Sequence, residues 1–264
     1  MPSTFEETRQ ALLAADPDSE SFWSAVRWMH AYGGLRAFAF ARDLYEADAV
    51  GETMKATALA VLSQLGGPER PFRAETHGIV RSALRDPSAT VREAAVYAAA
   101  HLAYEDTADD VAGLSEDASR AVRLAVAFAA ARLPAGGNCE VLMSLACDSE
   151  PTVREWSAFQ LAELDPEAIR AARFVLVKLL SDGTIDVAAE AARALSRISD
   201  PEGLRWLRST LESGIEGVTL LEAAENYASP SLVPVLQELQ SSGTPNLAAV
   251  NDALYACTAA SQRS

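Results

Sequence analysis

Histidine and cysteine are the side chains best suited to bind a metal ion or to act as a nucleophile, and this chain contains few of them. The histidines are His30, His77 and His101, and the cysteines are Cys139, Cys147 and Cys257. Neither set has the His-Glu-x-x-His or Cys-x-x-Cys spacing that places metal ligands side by side. Cys139 and Cys147 would lie about 12 Å apart along a helix, too far for a disulfide. We therefore predict no metal, no cofactor, and a packing role for these two thiols.

Other catalytic patterns are equally missing from the sequence. No Gly-x-Ser-x-Gly elbow or Cys and His pairing marks a nucleophile. The glycine pairs lack the Gly-x-Gly-x-x-Gly or Gly-Lys-Ser/Thr context that holds a phosphate. A single catalytic acid among the 37 aspartates and glutamates would leave no pattern. We predict no catalytic residue, and an enzyme that uses an isolated acid stays open as an alternative.

The charge of the chain narrows the choice of partner. Its 22 basic and 37 acidic residues give a formal net charge of −15, which repels nucleic-acid phosphates and anionic lipid headgroups. Hydrophobic residues make up 49% of the chain, enough to bury a core. The stretch from Met1 to Glu7 lacks the basic and apolar regions of an export signal. We expect a cytoplasmic protein whose partner is neither a nucleic acid nor a membrane.

The elements that carry these residues are organised by an internal repeat. Four segments share a valine that is preceded by an aspartate five positions earlier and followed by an aliphatic residue eleven positions later. The valines are Val91, Val122, Val153 and Val187, spaced 31, 31 and 34 residues apart. Fainter copies run from Met54 to Leu65 and from Val218 to Tyr227. Agreement in phase across four copies predicts an array of one repeated structural unit.

Each repeat is predicted to be a pair of helices. Positions 0, 4, 7 and 11 from the valine fall on one side of a helix and carry small or aliphatic residues, so neighbouring helices can pack closely. The aspartate begins the turn, and Ser, Thr or Asp before the valine is expected to cap the second helix. We predict an all-α fold, a solenoid of stacked antiparallel helix pairs over residues 1–264, as a single domain. Residues 1–50 form an irregular helical cap, 51–228 the repeats, and 229–264 a C-terminal helical cap.

The repeat resembles a known family. The Asp-x-x-x-x-Val-Arg turn before an alanine-rich helix, with a period near 31 residues, is similar to HEAT-like repeats of the bacterial type named after phycobilisome lyase subunits. The segment from Val153 to Phe159 also resembles a Val-Arg-Asp-Trp-Ala-Thr-Phe segment of bacterial HEAT-repeat proteins of mostly unassigned function. Two positions depart from the pattern, Ala188 in place of Arg and Ser213 in place of Asp. The resemblance implies an α-solenoid whose second helices line a concave face, and it implies no activity.

Charged residues at fixed positions of the repeat are predicted to be structural. An aspartate begins each turn, and an arginine directly after the valine is placed to bridge adjacent repeats. These residues are Asp86, Asp117, Asp148 and Asp182, with Arg92, Arg123 and Arg154. We expect each guanidinium to contact an aspartate or a backbone carbonyl.

A second set of positions points away from the buried side of the helix. The sixth residue after the valine is aromatic in three successive repeats, where a polar residue is usual. This set comprises Tyr97, Phe128 and Phe159, with Arg193 in the fourth repeat, Leu124 and Trp156 beside the rings, and Glu93 and Glu155 flanking them. One interpretation is an apolar stripe that binds a partner along the concave groove. The other is that the rings pack against neighbouring helices, and the sequence leaves both open.

These observations favour a non-enzymatic scaffold that binds another protein or a peptide segment, with a basic partner suggested by the acidic charge. A toxin-neutralising immunity protein is a sharper form of this hypothesis, because an acidic surface could cover a basic nuclease site. An enzyme similar to HEAT-like DNA glycosylases is an alternative that the net charge disfavours. A bilin lyase-like enzyme, with a flat chromophore on the aromatic stripe, is a further alternative.

Overall fold

The computed structural model describes residues 4–47, 50–65, 69–103, 107–130, 132 and 138–261. Regular structure in these ranges is helical, and they contain no strand, which confirms the predicted all-α class. The chain divides into two compact units, Met1–Gly137 and Asn138–Ser264. No helix in the described ranges is both long and apolar enough to cross a bilayer. The organisation as one domain stays a prediction, and each unit is treated separately below.

The first unit is built from pairs of helices in chain order. Its helices are α1 (Phe5–Ala14), α2 (Glu20–Trp28), α3 (Gly34–Glu46), α4 (Glu52–Leu62), α5 (Arg73–Ala83), α6 (Ala89–Leu102), α7 (Ala108–Ala112) and α8 (Arg120–Ala130). Helix α1 packs on α2, α3 on α4, α5 on α6, and α7 on α8. The second helices α4, α6 and α8 also contact one another in sequence, so they form one layer of the unit.

The second unit repeats this arrangement. Its helices are α9 (Asn138–Leu145), α10 (Pro151–Glu163), α11 (Pro166–Ala171), α12 (Arg173–Leu179), α13 (Ile185–Ser196), α14 (Pro201–Glu212), α15 (Val218–Tyr227), α16 (Val233–Ser242) and α17 (Leu247–Ser261). The second helices α10, α13, α15 and α17 contact one another in order. The range predicted as a C-terminal helical cap, 229–264, contains the helices α16 and α17.

The predicted buried side of the second helix is present in the structure. In α6, the residues at positions 0, 4, 7 and 11 are Val91, Ala95, Ala98 and Leu102, and all four are buried. The small side chains at the middle positions let adjacent second helices approach, and close packing of this kind supplies most of the stability of short helices. The same periodicity sets which residues of α6 face away from the core.

The region predicted as an irregular cap contains a paired helix. Helix α2 runs into a π-helical turn, Met29–Gly33, and then into α3, which packs on α4 as the first helix of a pair. Ala37 and Phe38 of α3 are buried. The joint depends on Gly34, whose φ of +49° lies in the left-handed region that favours glycine. Because this π-helical turn occurs once and is not periodic, the repeat pattern in the sequence did not predict the pairing of α3 with α4.

Candidate functional site

The repeated aspartates fix the start of each second helix. In each case, Oδ1 accepts a hydrogen bond from the backbone N–H two residues later. The pairs are Asp86 with Ser88 (2.9 Å), Asp117 with Ser119 (2.8 Å), Asp148 with Glu150 (2.8 Å) and Asp182 with Thr184 (2.9 Å). The expectation that Ser or Thr caps the helix is wrong at Ser88 and Thr184, whose side chains make no cap hydrogen bond. The hydroxyl of Ser88 donates instead to Glu52 on α4.

The repeated arginines connect one turn to the next. Arg92 donates from Nε and Nη2 to both carboxylate oxygens of Asp117, at 2.8 and 2.9 Å. Its Nη1 donates to the backbone carbonyl of Asp86, at 2.9 Å. Because the hydrogen bond from Arg92 favours the charged carboxylate, it lowers the pKa of Asp117. Arg92 therefore joins its own turn to the turn of the following repeat.

The same connection recurs along the array. Arg154 donates to both oxygens of Asp182 at 2.7 and 2.9 Å and to the carbonyl of Asp148 at 2.9 Å. Arg123 donates to the carbonyl of Asp117 at 2.9 Å. The predicted contacts of the three arginines are thus present. Arg92 and Arg154 form bidentate ion pairs with the aspartate of the next turn.

In the first unit, two residues of the aromatic stripe pack together. The rings of Tyr97 on α6 and Phe128 on α8 meet edge to face, with centroids 5.3 Å apart. Both rings are half-buried, as is Leu124. The guanidinium of Arg132 lies 3.8 Å from the centre of the Phe128 ring. In this part of the stripe, the rings thus contribute to packing while keeping an open edge.

In the second unit, the stripe is more exposed. Trp156 and Phe159 on α10 are 40% and 36% exposed, and their ring centroids lie 5.6 Å apart. Glu155 lies beside Trp156 and is half-buried. Burial raises the pKa of Glu155, and Asp186 and Glu190 on α13 raise it further. An exposed aromatic pair thus stands next to carboxylates on two neighbouring helices.

Arg193 is a correction to the predicted stripe. It is only 5% exposed, so it does not belong to an open surface. Its guanidinium donates to Glu190 at 2.8 Å and to Glu163 at 2.9 Å, and it lies 4.9 Å from the centre of the Phe159 ring. The prediction of an exposed Arg193 failed because the neighbouring second helices supply carboxylates that cover it.

The first unit contains a cavity of about 520 Å³ between α2, α4 and α6. Helix α6 lines it with Glu93, Tyr97 and His101, and the α2 side contributes Trp23 and His30. On α4, the lining residues include Ala56 and Ala60. Ala56 and Ala60 follow Gly51, the residue before α4, by five and nine positions. Glu93 and Tyr97 follow Ser88, the residue before α6, by the same numbers of positions, so the two pairs are equivalent. The cavity exists because small side chains occupy the α4 positions.

The ionisable groups in this cavity are perturbed by burial. Burial raises the pKa of Glu93, and the nearby carboxylate of Asp18 raises it further. Burial also raises the pKa of Tyr97. His30 Nε2 lies 3.0 Å from the carbonyl oxygen of Ala60, and burial lowers the pKa of His30. Burial, followed by the positive charge of Arg132, lowers the pKa of His101. Burial thus disfavours the positively charged form of both histidines.

Sequence reasoning treated His30 and His101 as isolated residues and missed this cavity. They lie on different repeats, and no local pattern joins them. The one available signal was the pair of alanines on α4 at positions that carry large residues in the following repeats. Small residues at outward positions leave room between helices.

No group of three or more His, Cys, Asp or Glu side chains within the described ranges is placed to hold a metal ion. The three cysteines have different surroundings. Cys147 is exposed, which contradicts a packing role for it, while Cys139 is half-buried. Cys257 is buried in the second unit, and burial raises its pKa to about 11.

Comparisons with known proteins agree with this architecture. A family model described as HEAT repeats matches residues 139–228. The crystal structure of YibA from Escherichia coli is similar, with a TM-score of 0.75 and 23% identity over 96% of this chain and 92% of that one. An engineered protein aligns with a TM-score of 0.57 and 22% identity over 95% and 77% of the two chains. No curated protein sequence matches significantly. The chain therefore has an all-α solenoid fold, and its residues 139–228 match HEAT repeats.

Proposed function

We propose that this protein is a non-enzymatic scaffold that binds a segment of another protein on the second helices of its second unit. The observation that carries the proposal is the exposed pair of Trp156 and Phe159 on α10, with ring centroids 5.6 Å apart. Tryptophan and other large side chains on a rigid element supply most of the binding energy at protein interfaces. The pair therefore suits the anchoring of a partner.

The core of α10 does not depend on these rings. Val153, Ala158 and Leu161 of the same helix are buried, and they fill the side that packs within the unit. An aromatic side chain that leaves more than a third of its surface in water still exposes apolar area whose removal from water is favourable. Complete burial on binding a partner would recover that free energy.

Carboxylates surround the aromatic pair and suggest the charge of the partner. Glu155 and Glu163 lie on α10, Glu190 on α13 and Glu222 on α15. Arg193 donates to Glu163, Glu190 and Glu222, and its single positive charge leaves an excess of negative charge. Together with the net charge of −15, this excess favours a basic partner.

A toxin-neutralising immunity protein is the finer form of this proposal. An acidic repeat surface would cover the basic active site of a nuclease toxin and exclude its substrate. The support is the charge of the surface. Association that slows and weakens as salt is raised is expected, since steering between opposite charges is screened. Binding that does not change with salt would contradict the proposal of an immunity protein. The aromatic pair is tested separately by the alanine variants described next.

The test is a selection of random peptides on the intact protein, followed by affinity measurements on variants. Peptides that use the proposed face should lose about 2 kcal/mol of binding free energy, close to thirtyfold in Kd, in Trp156→Ala or Phe159→Ala. Phe174→Ala is the matched control, because Phe174 is 80% exposed on α12, outside the layer of second helices. If the selected peptides bind both stripe variants as they bind the parent, the proposed face is wrong.

A further inference from the structure

In two repeats, an arginine lies over the aromatic ring at the sixth position after the valine, and this arrangement can be compared with the cavity of the first unit. The aromatic ring six positions after the valine is Phe128 on α8 and Phe159 on α10. Each has a guanidinium over it, Arg132 at 3.8 Å and Arg193 at 4.9 Å from the ring centre. At Phe159, the same guanidinium is held by carboxylates, including Glu190 at 2.8 Å. A guanidinium between an aromatic face and a carboxylate is thus a combination that this chain uses itself.

Tyr97 is the equivalent ring on α6, and no arginine or lysine of the described residues lies over it. One side of Tyr97 is taken by Phe128, and the ring also lines the cavity. Glu93 lies one helical turn before it and lines the same cavity. Within the described parts of the chain, the Glu93 carboxylate has no hydrogen bond and no ion pair, and the charged group that acts on it is another acid, Asp18. A half-buried carboxylate next to a like charge is costly unless a cation is supplied.

The cavity has the size and walls for such a cation. Its volume of about 520 Å³ falls within the range of small-ligand sites. Trp23 adds a second aromatic ring to the lining. Ala56 and Ala60 of α4 leave the space open, and burial disfavours the positively charged forms of His30 and His101. The open volume is therefore aromatic and acidic, with no arginine or lysine among its described lining residues.

We propose that this cavity binds a guanidinium group, with Glu93 as the hydrogen-bond acceptor and the rings of Tyr97 and Trp23 against the planar cation. The group belongs either to an arginine side chain of another protein or to a free guanidino compound, and both present the same chemistry. The site is separate from Trp156 and Phe159, so either proposal can fail without the other.

The experiment is isothermal titration calorimetry with three probes on the intact protein. N-acetyl-arginine amide represents a protein-borne arginine, agmatine represents a free guanidino compound, and N-acetyl-citrulline amide is the uncharged isostere of the first. At least one arginine-type probe should bind, and the citrulline probe should bind at least about tenfold more weakly because it lacks the charge. If only agmatine or only N-acetyl-arginine amide binds, the site is supported, and the probe that binds shows whether the guanidinium group comes from a free compound or from a protein.

Two variants and a control localise the binding. Glu93→Gln should weaken the arginine-type probe at least about tenfold, since it removes the charge-assisted acceptor. Ala56→Leu keeps every charge and should also weaken binding, because it fills the cavity. Glu75→Gln is the matched control, since Glu75 is an exposed glutamate on α5 of the same unit and does not line the cavity, and it should leave the affinity unchanged.

Three results would overturn the proposal. They are no binding of either arginine-type probe, equal binding of the citrulline probe, and unchanged affinity in both Glu93→Gln and Ala56→Leu. Circular dichroism of each variant shows whether a loss of binding reflects the site or a loss of fold. If Glu93→Gln does not fold, Ala56→Leu alone decides.

Discussion

The guanidinium of Arg154 donates two hydrogen bonds to the carboxylate of Asp182 in the next repeat, at 2.7 and 2.9 Å. Both side chains are largely buried, with 17% and 9% of their surface exposed. The aspartate also accepts the backbone N–H of Thr184 at the start of α13. One carboxylate thus holds both the arginine of the preceding repeat and the first turn of its own second helix. Removal of either partner leaves a buried charge unpaired.

The first prediction concerns stability. Arg154→Ala should lower the free energy of unfolding by about 2 kcal/mol, because it breaks charge-assisted hydrogen bonds in a buried setting. Arg123→Ala should act in the same direction through its bond to the Asp117 carbonyl. Thermal or urea unfolding measures the change. Arg208→Ala is the control, since its pair with Glu212 is exposed and should contribute less than about 1 kcal/mol. Equal effects of Arg154→Ala and Arg208→Ala would contradict the structural role.

The second prediction concerns the stability of the protein at acid pH. The hydrogen bond from Arg154 lowers the pKa of Asp182 below its ordinary value of 3.8, and Arg92 does the same for Asp117. The contribution of these aspartates to stability is thus fully present above pH 3.8 and is lost as the pH falls through their folded pKa. Urea unfolding at stepped pH should show a fall below pH 3.8. Asp182→Asn should be less stable at neutral pH and show a shallower fall. A parallel fall in both proteins would contradict the assignment.

The repeated elements were predictable because their pattern is local. The valine, the aspartate five positions before it and the arginine after it return with the period of the helix pair, so their shared positions could be read from the sequence. The contacts of Asp86 were predicted only in part. Its place in the turn was evident, but its bond to the Ser88 N–H depends on backbone geometry that periodicity does not specify. The cap was therefore assigned to the wrong side chain.

The surface of the second helices was less predictable. Periodicity in the sequence indicates which side of its own helix a residue occupies. It does not indicate which side chains of the adjacent repeat contact that residue. Arg193 is buried where Glu163 of the preceding second helix and Glu222 of the following one approach it. The cavity beside Glu93 requires the small side chains of α4 and the rings of α2 and α6 together. Such features arise from packing between repeats.

The third prediction uses two glycines that lie within helices. A Cβ at Gly203 on α14 would meet the Tyr227 hydroxyl and would lie 2.8 Å from Leu195 Cβ. Gly203→Ala should therefore cost about 1–3 kcal/mol despite the better helix propensity of alanine. Gly78→Ala on α5 is the matched control, because a Cβ there meets nothing within 4 Å, and it should stabilise by up to about 1 kcal/mol. Stabilisation by both substitutions would show that the contacts of α14 are looser than described.

The fourth prediction concerns the thiols. Cys147 is exposed and should react first with a thiol reagent at pH 8. Cys257 is buried with a pKa raised to about 11, so little thiolate forms, and it should react only after unfolding. Timed labelling followed by peptide mass spectrometry measures both. Cys147→Ser should remove the fast phase and leave the rest unchanged. Rapid native labelling of Cys257 would contradict its burial.

The last prediction separates packing from binding within the aromatic stripe. Phe128 is half-buried and contacts both Tyr97 and Arg132, so Phe128→Ala should lower the free energy of unfolding by about 2–3 kcal/mol. Trp156 and Phe159 are more exposed, and Trp156→Ala and Phe159→Ala should each change it by less than about 1 kcal/mol.

Urea unfolding followed by circular dichroism makes this comparison, because tryptophan fluorescence would itself change in Trp156→Ala. The expected order follows from burial: the more buried ring, Phe128, supports the fold, and the two rings that are more open to water are available to a partner. Were Trp156→Ala and Phe159→Ala to destabilise the protein as much as Phe128→Ala, all three rings would belong to the core. The proposed binding face on α10 would then lose the observation that carries it.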